Sequence, residues 1–153
     1  VKRVTAMIKC LAHERIEVED TGAATVEFEN GALGTIACTT SMWPGHFRMV
    51  EVSGTGGTAA MADQEFFFWQ FREESPADDD IRRKYLKFPA VSVGAANPSA
   101  GLTADGHRDN FADFLTALDE GRRPPIDGAE ARKAVQTILA IYESSKTGRP
   151  VEL

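Results

Sequence analysis

The stretch Asp105-Gly106-His107-Arg108-Asp109-Asn110 places an imidazole and an amide at the start of an amphipathic segment. Imidazole changes charge near neutral pH, and a helix N-terminus presents unpaired N–H groups carrying partial positive charge. Converging, these groups suit a polyol hydroxyl or an oxyanion, which makes His107 the candidate binding residue. A solvent-exposed helix start accounts for the same residues, and the sequence leaves both readings open. No catalytic residue follows from the residue types alone.

The remaining chemistry-bearing residues do not assemble by spacing. His13, His46 and His107 are far apart and lack H-x-x-x-H or H-E-x-x-H spacing or a cysteine partner, so no metal site is expected. Asp78-Asp79-Asp80 has neither the glycine nor the closing glutamate of a calcium loop and reads as part of an acidic surface loop, Glu73 to Asp80. No G-x-S-x-G elbow occurs, and Ser41, Ser53 and Ser92 have no adjacent base, so a hydrolase built around His107 lacks a nucleophile. Gly54-Thr55-Gly56-Gly57 follows a strand, but Thr58 to Ala62 shows no helical stripe to hold a pyrophosphate, so a tight turn is expected. The run Phe66 to Phe71 fits a strand covered on both faces at an interface, with a sugar-stacking platform as the other reading.

The elements that must position these residues show two periods. Residues 2 to 10 alternate, with Val4, Ala6, Ile8 and Cys10 on one side. A second strand is expected from about Ala23 to Glu29 and a third from Leu33 to Thr40. Between them Asn30-Gly31 predicts a two-residue type I′ turn, which pairs Phe28 with Leu33 and Thr25 with Ile36. Further strands are expected over Phe47 to Ser53, with Val50 and Val52 inward, then Thr58 to Ala62, Phe66 to Phe71 and Arg83 to Phe88. After Pro89 an irregular connection runs to about Gly101.

The period then changes to 3.6. Phe111, Phe114, Leu115 and Leu118 mark a buried helix face from about Asp105 to Glu120, stopped by Gly121. Asp127-x-x-Glu130 opens a second helix, which Lys146, Gly148 and Pro150 end. Strands followed by helices give an α+β class: an open, largely antiparallel β-sheet with helices packed on one face.

A chain of 153 residues, 42% apolar and 26% charged, suits one soluble domain with an ordinary core, so residues 1–153 are expected to form a single domain. The formal charge of −6 argues against nucleic acid or an anionic membrane surface as the main partner. Cys10 and Cys38 lie in apolar runs and are expected as buried free thiols in a cytoplasmic protein. No apolar stretch reaches the ~20 residues of a membrane helix.

Three segments in order carry a resemblance. They are Val18-Glu19-Asp20-Thr21-Gly22 leading through "FENGALGTI", then "VEVSGTGGT" from Val50, then the segment from His107 to Leu153 that begins "HRDNFADFL". Together they resemble the C-terminal domain of the glucose-fructose oxidoreductase, inositol dehydrogenase and rhizopine-catabolism (Gfo/Idh/MocA) family, over essentially the whole chain. The resemblance implies a dihydrodipicolinate-reductase-like C-terminal domain of an NAD(P)-dependent oxidoreductase acting on a sugar, cyclitol or related polyol. NAD or NADP would be bound by an N-terminal Rossmann domain absent from these residues, so the chain alone is expected to be inactive. The open sheet face would form a homodimer or tetramer interface. The family's catalytic lysine and its aspartate and histidine motif fall outside these residues and carry over to no position here. His107, at the start of the "FADFL" helix, carries over as a substrate contact, and Trp43 as a residue lining the same pocket or an interface. A stand-alone, non-catalytic dimerisation or ligand-binding module is the competing reading.

Overall fold

The alternation of Val4, Ala6 and Ile8 with Arg3, Thr5 and Met7 is realised as β1 (Arg3–Lys9), in a computed structural model that describes residues 1–63, 65–87 and 104–153. β1 pairs antiparallel with β2 (Thr21–Glu27), and β2 with β3 (Leu33–Thr39). The short C-terminal β7 (Val151–Glu152) closes the order β3-β2-β1-β7. Two helices, α2 (Asp105–Asp119) and α3 (Gly128–Thr147), complete this first unit, which spans Val1–Ser41 and Thr103–Leu153. The second unit, Met42–Leu102, holds β4 (Met49–Gly54), β5 (Gly57–Ala62), β6 (Glu65–Phe71) and α1 (Pro76–Tyr85). The connection expected from Pro89 to Gly101 lies outside the described residues. The class is α+β, as expected, with antiparallel sheets and three helices among the described residues.

The core of the first unit is small. Val4, Ala6 and Ala24 of the sheet meet Ala140 of α3, with Ile141 and Val151 packed alongside. The side of α3 that faces the sheet is therefore Ala140-Ile141-Ser144, while Val135, Ile138, Leu139 and Tyr142 remain exposed. Alanines on both surfaces let helix and strand approach closely, and the approach solves a polar problem. β7 pairs with β1 only at Arg3 and Val4, so N–H groups further along this edge of β1 need other acceptors. Ser144 Oγ accepts from the Ala6 N–H at 3.0 Å, and Ser145 Oγ from the Ile8 N–H at 3.0 Å. The Ser144 hydroxyl in turn donates to the Arg149 carbonyl at 2.7 Å. α3 itself starts at Asp127, whose carboxylate accepts from the N–H groups of Ala129 and Glu130, and stops at Gly148 in the left-handed region (φ 67°).

The β2–β3 turn differs from the expected one. Glu27 faces Leu33, Thr25 faces Thr35 and Ala24 faces Ile36, one residue out of step with the type I′ pairing. That turn needs positive φ at both central residues, and of Asn30 and Gly31 only Gly31 has it (φ 84°). Asn30 instead accepts the Ala32 N–H through its side-chain oxygen at 3.1 Å, and the Gly31 N–H donates to the Phe28 carbonyl, closing a longer loop. A slip of one residue exchanges the two faces of a strand. Ala24 and Val26 thus point to the core, and the opposite face carries a cross-strand row of Thr5, Thr25 and Thr35 flanked by Met7, Ala23 and Ala37.

In the second unit, the acidic loop expected over Glu73 to Asp80 and the strand expected over Arg83 to Phe88 are replaced by α1. Ser75 and Asp78 form a reciprocal capping box, Pro76 occupies the first turn, and the charges run from acidic to basic along the helix. Arg82 pairs with Glu74 and Asp79, and Arg83 with Asp80. Period-2 reading missed this helix because its polar residues carry the signal. A bulge between Ala60 and Met61 leaves Phe67 without a partner residue across the strand, bringing Phe66 to the side of Trp69 and Phe71. The rings lie 5.2 and 5.1 Å apart, and the Trp69 indole N–H donates to Asp78 of α1 at 2.9 Å. Val50 and Val52, expected inward, are exposed, because β4 is an edge strand buried on neither face. Phe111, Phe114, Leu115 and Leu118 of α2, expected buried, are exposed as well. Both cysteines are free, as expected, but exposed rather than buried.

Ser144 is fully buried and its oxygen is the acceptor for Ala6. Ser144→Ala is expected to strand that N–H and destabilise the chain by about 1–3 kcal/mol. Urea unfolding followed by circular dichroism measures the loss, and an unchanged midpoint would show that the strand edge finds another acceptor.

Candidate functional site

The most strongly organised polar cluster of the first unit centres on Asp20, immediately before β2. Its side chain is wholly buried. The N–H groups of Leu11, Ala12 and His13 donate to its two oxygens at 2.9, 2.8 and 3.0 Å, the Thr21 hydroxyl at 3.0 Å, and His13 Nδ1 lies at 3.1 Å. Three successive backbone amides converging on one point form an anion nest, and Asp20 fills it from within the chain. The Ala12 and His13 amides hold its carboxyl far below the usual carboxylate range, overriding the opposing effect of burial. Asp20 is therefore a permanent anion near neutral pH and is unsuited to proton transfer. With the carboxylate ionised, His13 Nδ1 carries the hydrogen and Nε2 is the basic nitrogen.

From Thr21 a chain of hydroxyls runs to Thr39 at 3.0 Å and Ser41 at 3.3 Å, and Thr39 and Ser41 bond each other at 2.7 Å. Next to Asp20, Glu19 accepts the Tyr142 hydroxyl of α3. This bond raises the Tyr142 pKa above its ordinary value. The loop between β1 and β2 is thereby anchored at one end into the nest and at the other onto the helix. Residue types alone did not reveal the nest, since its donors are backbone groups. The one signal was the position of Asp20 directly before a strand.

The residues singled out in the sequence lie elsewhere. His107 is the third residue of α2, exposed, and the preceding Ala104 makes no side-chain cap bond. Arg108 beside it pairs with Asp105 at 2.7 Å and Asp109 at 2.9 Å. Trp43 lies between β3 and β4, joined by a cis bond to Pro44, and is 88% exposed. It belongs to the second unit and His107 to the first. His46 stacks edge-on against Phe47 at 5.5 Å. Among the described residues no group of His, Cys, Asp and Glu is arranged to hold a metal ion.

On the outer sheet face, Thr5, Thr25, Thr35, Glu27, Leu33 and Pro150 line an open groove of about 540 Å³. Glu27 is bound there by Lys2 at 2.7 Å and Arg3 at 2.5 Å, so the groove offers neutral hydroxyls and no acid–base pair.

The glycine-rich segment is a hairpin turn. Gly54 faces Gly57, β5 follows, and a Cβ at Gly57 would lie 2.4 Å from Phe71 Cδ1 and 2.5 Å from the Gln70 carbonyl. Close strand packing explains the glycine there. A dinucleotide pyrophosphate needs a helix N-terminus behind such a loop, so this segment does not fit that cofactor.

With this geometry in place, residues 1–60 match the family model for the GFO/IDH/MocA C-terminal domain. The whole chain superposes on the WlbA dehydrogenase from Bordetella pertussis in complex with NADH and UDP-GlcNAcA, with a TM-score of 0.80 and 28% identity, covering 42% of that chain. The chain belongs to the GFO/IDH/MocA C-terminal domain family. The WlbA dehydrogenase from Chromobacterium violaceum, also in complex with NADH and UDP-GlcNAcA, aligns over the whole chain with a TM-score of 0.77 and 26% identity, covering 40% of its own length. A D-xylose 1-dehydrogenase (NADP(+)) from Haloferax volcanii is 41% identical over 49 residues, which is 32% of this chain and 15% of the relative. The chain thus spans less than half the length of each of these proteins. The nest and its hydroxyl chain fall within the part that the family model matches.

Because the folded pKa of Asp20 lies below its ordinary value of 3.8, its contribution to stability is complete above that value and is lost as pH falls below it. Asp20→Asn is expected to lower stability at pH 7 and to flatten its decline between about pH 5 and 2. Thermal melts of both forms across that range measure the difference, and parallel curves would show that the nest does not depend on the charge.

Proposed function

We propose that the chain is the substrate-binding and oligomerisation domain of an NAD(P)-dependent oxidoreductase acting on a sugar, a cyclitol or a related polyol. The observation that carries this reading is the superposition of the entire chain on a dehydrogenase in complex with NADH and a nucleotide sugar. The nicotinamide cofactor, when bound, supplies hydride transfer at a carbinol carbon. The glycine-rich segment does not fit it, so the reading assigns the cofactor to an N-terminal domain outside residues 1–153 and assigns no proton or hydride step to this chain.

What remains for these residues is binding and assembly. His107, at the uncapped start of α2, offers an imidazole beside free backbone N–H groups, a combination suited to a polyol hydroxyl. Trp43 offers an open aromatic face of the kind that stacks on a sugar ring. The outer sheet face, with its rows of threonine, alanine and methionine, is the surface for a homodimer or tetramer.

Two measurements test this. Calorimetry of residues 1–153 with NAD and NADP is expected to show no binding, and saturable micromolar binding would overturn the assignment of the cofactor elsewhere. In the complete product of the reading frame, His107→Ala is expected to raise KM for the true substrate about 10-fold, as loss of a hydrogen bond to a ligand does. An unchanged KM and kcat would remove His107 from the site. An upstream region without a nucleotide-binding domain would favour the stand-alone module instead.

A further inference from the structure

α2 is a helix without a counterpart in the described chain. Phe111, Phe114, Leu115 and Leu118 form one stripe along it at 68, 47, 59 and 62% exposure, and only Ala117 is buried. Its ends add little, since Ala104 provides no cap bond and the last turn holds no basic residue. A helix of 15 residues is marginal in water when tertiary packing does not support it. His107 lies four residues before Phe111 and so continues the stripe on the same face.

Resting on the function proposed above, we infer that this stripe is the seat of the nicotinamide-binding part of the same polypeptide, and that α2 becomes a fixed helix only when seated. Length is the first argument. The two NADH-complexed structures that the whole chain matches are more than twice as long as it is, which leaves room for a nucleotide-binding domain. The chemistry of the two open surfaces is the second. An isologous contact between copies needs a self-complementary patch, and the outer sheet face has one, with neutral threonine rows and charges of both signs at Lys2, Arg3 and Glu27. The α2 stripe is two phenylalanines and two leucines at helical spacing, the pattern of a helix laid into an apolar groove of a different surface. Seating it would bring His107 to the boundary between the two parts, where a substrate meets the cofactor.

Hydrogen exchange followed by mass spectrometry, on residues 1–153 and on the complete product of the reading frame, tests the inference. Amides of α2 are expected to be at least ~10-fold better protected in the complete product, with those of α3 unchanged. The double variant Phe111→Asp/Leu115→Asp is expected to return α2 to the exchange of the isolated chain while NADH fluorescence titration still reports binding. Leu118→Ala should give an intermediate loss of protection without disturbing the circular dichroism of the rest. Equal protection in both forms would overturn the inference, as would protection that rises with the concentration of residues 1–153 and so identifies a second copy as the occupant. A complete product that binds NADH with α2 unprotected would sink the seat and leave the proposed function standing. One that fails to bind NADH would sink the function itself.

Discussion

The close approach of α3 to β1 is the contact on which the first unit depends. It requires small side chains at Ala6, Ala24 and Ala140, because a larger residue at any of them would hold the helix off the sheet. Close approach then puts Ser144 and Ser145 within bonding distance of two N–H groups that no strand serves. A hydroxyl on a helix seldom takes the place of a strand in a ladder. Here it does so twice, at residues spaced i and i+2 on β1, and the edge is satisfied without lengthening β7. One helix thus covers both a face and an edge, which leaves the opposite sheet face free.

The Asp20 nest secures the other end of the same arrangement. A buried carboxylate is costly unless donors surround it, and the three amides from Leu11 to His13 meet that requirement. The arrangement is reciprocal, because a loop that turns three successive amides to one point needs an anion there. Glu19 carries the constraint onward to Tyr142, so the loop between β1 and β2 and the middle of α3 move as one body. His13, Thr39 and Ser41 inherit fixed positions from a residue that takes no part in proton chemistry.

Much of this architecture was legible from the sequence. Strict alternation marked β1, the helical period and the Gly121 and Gly148 stops marked α2 and α3, and three motifs in order pointed to the family. What was not legible has physical causes. The register between β2 and β3 turned on whether Asn30 would take a positive φ or bond through its side chain, and the dipeptide Asn-Gly permits both. α1 was hidden because capping, charge order and ion pairs specify it, not an apolar stripe. The nest was hidden because its donors are backbone amides. Burial on α2 was misread because periodicity tells which residues share a face and says nothing of what lies opposite it. For the candidate site, the sequence supplied His107 and Trp43 as residue types, and the structure supplied their exposure.

The composition of the core bears on how such a chain behaves. Among the described residues, the buried apolar side chains are alanines and two valines, Val4 and Val26, and every phenylalanine, leucine and isoleucine keeps some solvent contact. Burial of apolar surface contributes about 25 cal/mol per Å², so a core built of alanine gains far less than one built of leucine and phenylalanine at the same chain length. The large apolar groups are there, but they line α2, the outer side of α3 and the open sheet. Their burial is deferred to contacts beyond this chain, and a fold arranged this way draws part of its stability from assembly. The same arrangement places its interfaces on regular elements, where position is most exact. The residues suited to touching a small molecule, His107 at a helix start and Trp43 between two strands, stand at the ends of those elements, so a change at the interface is also a change at the site.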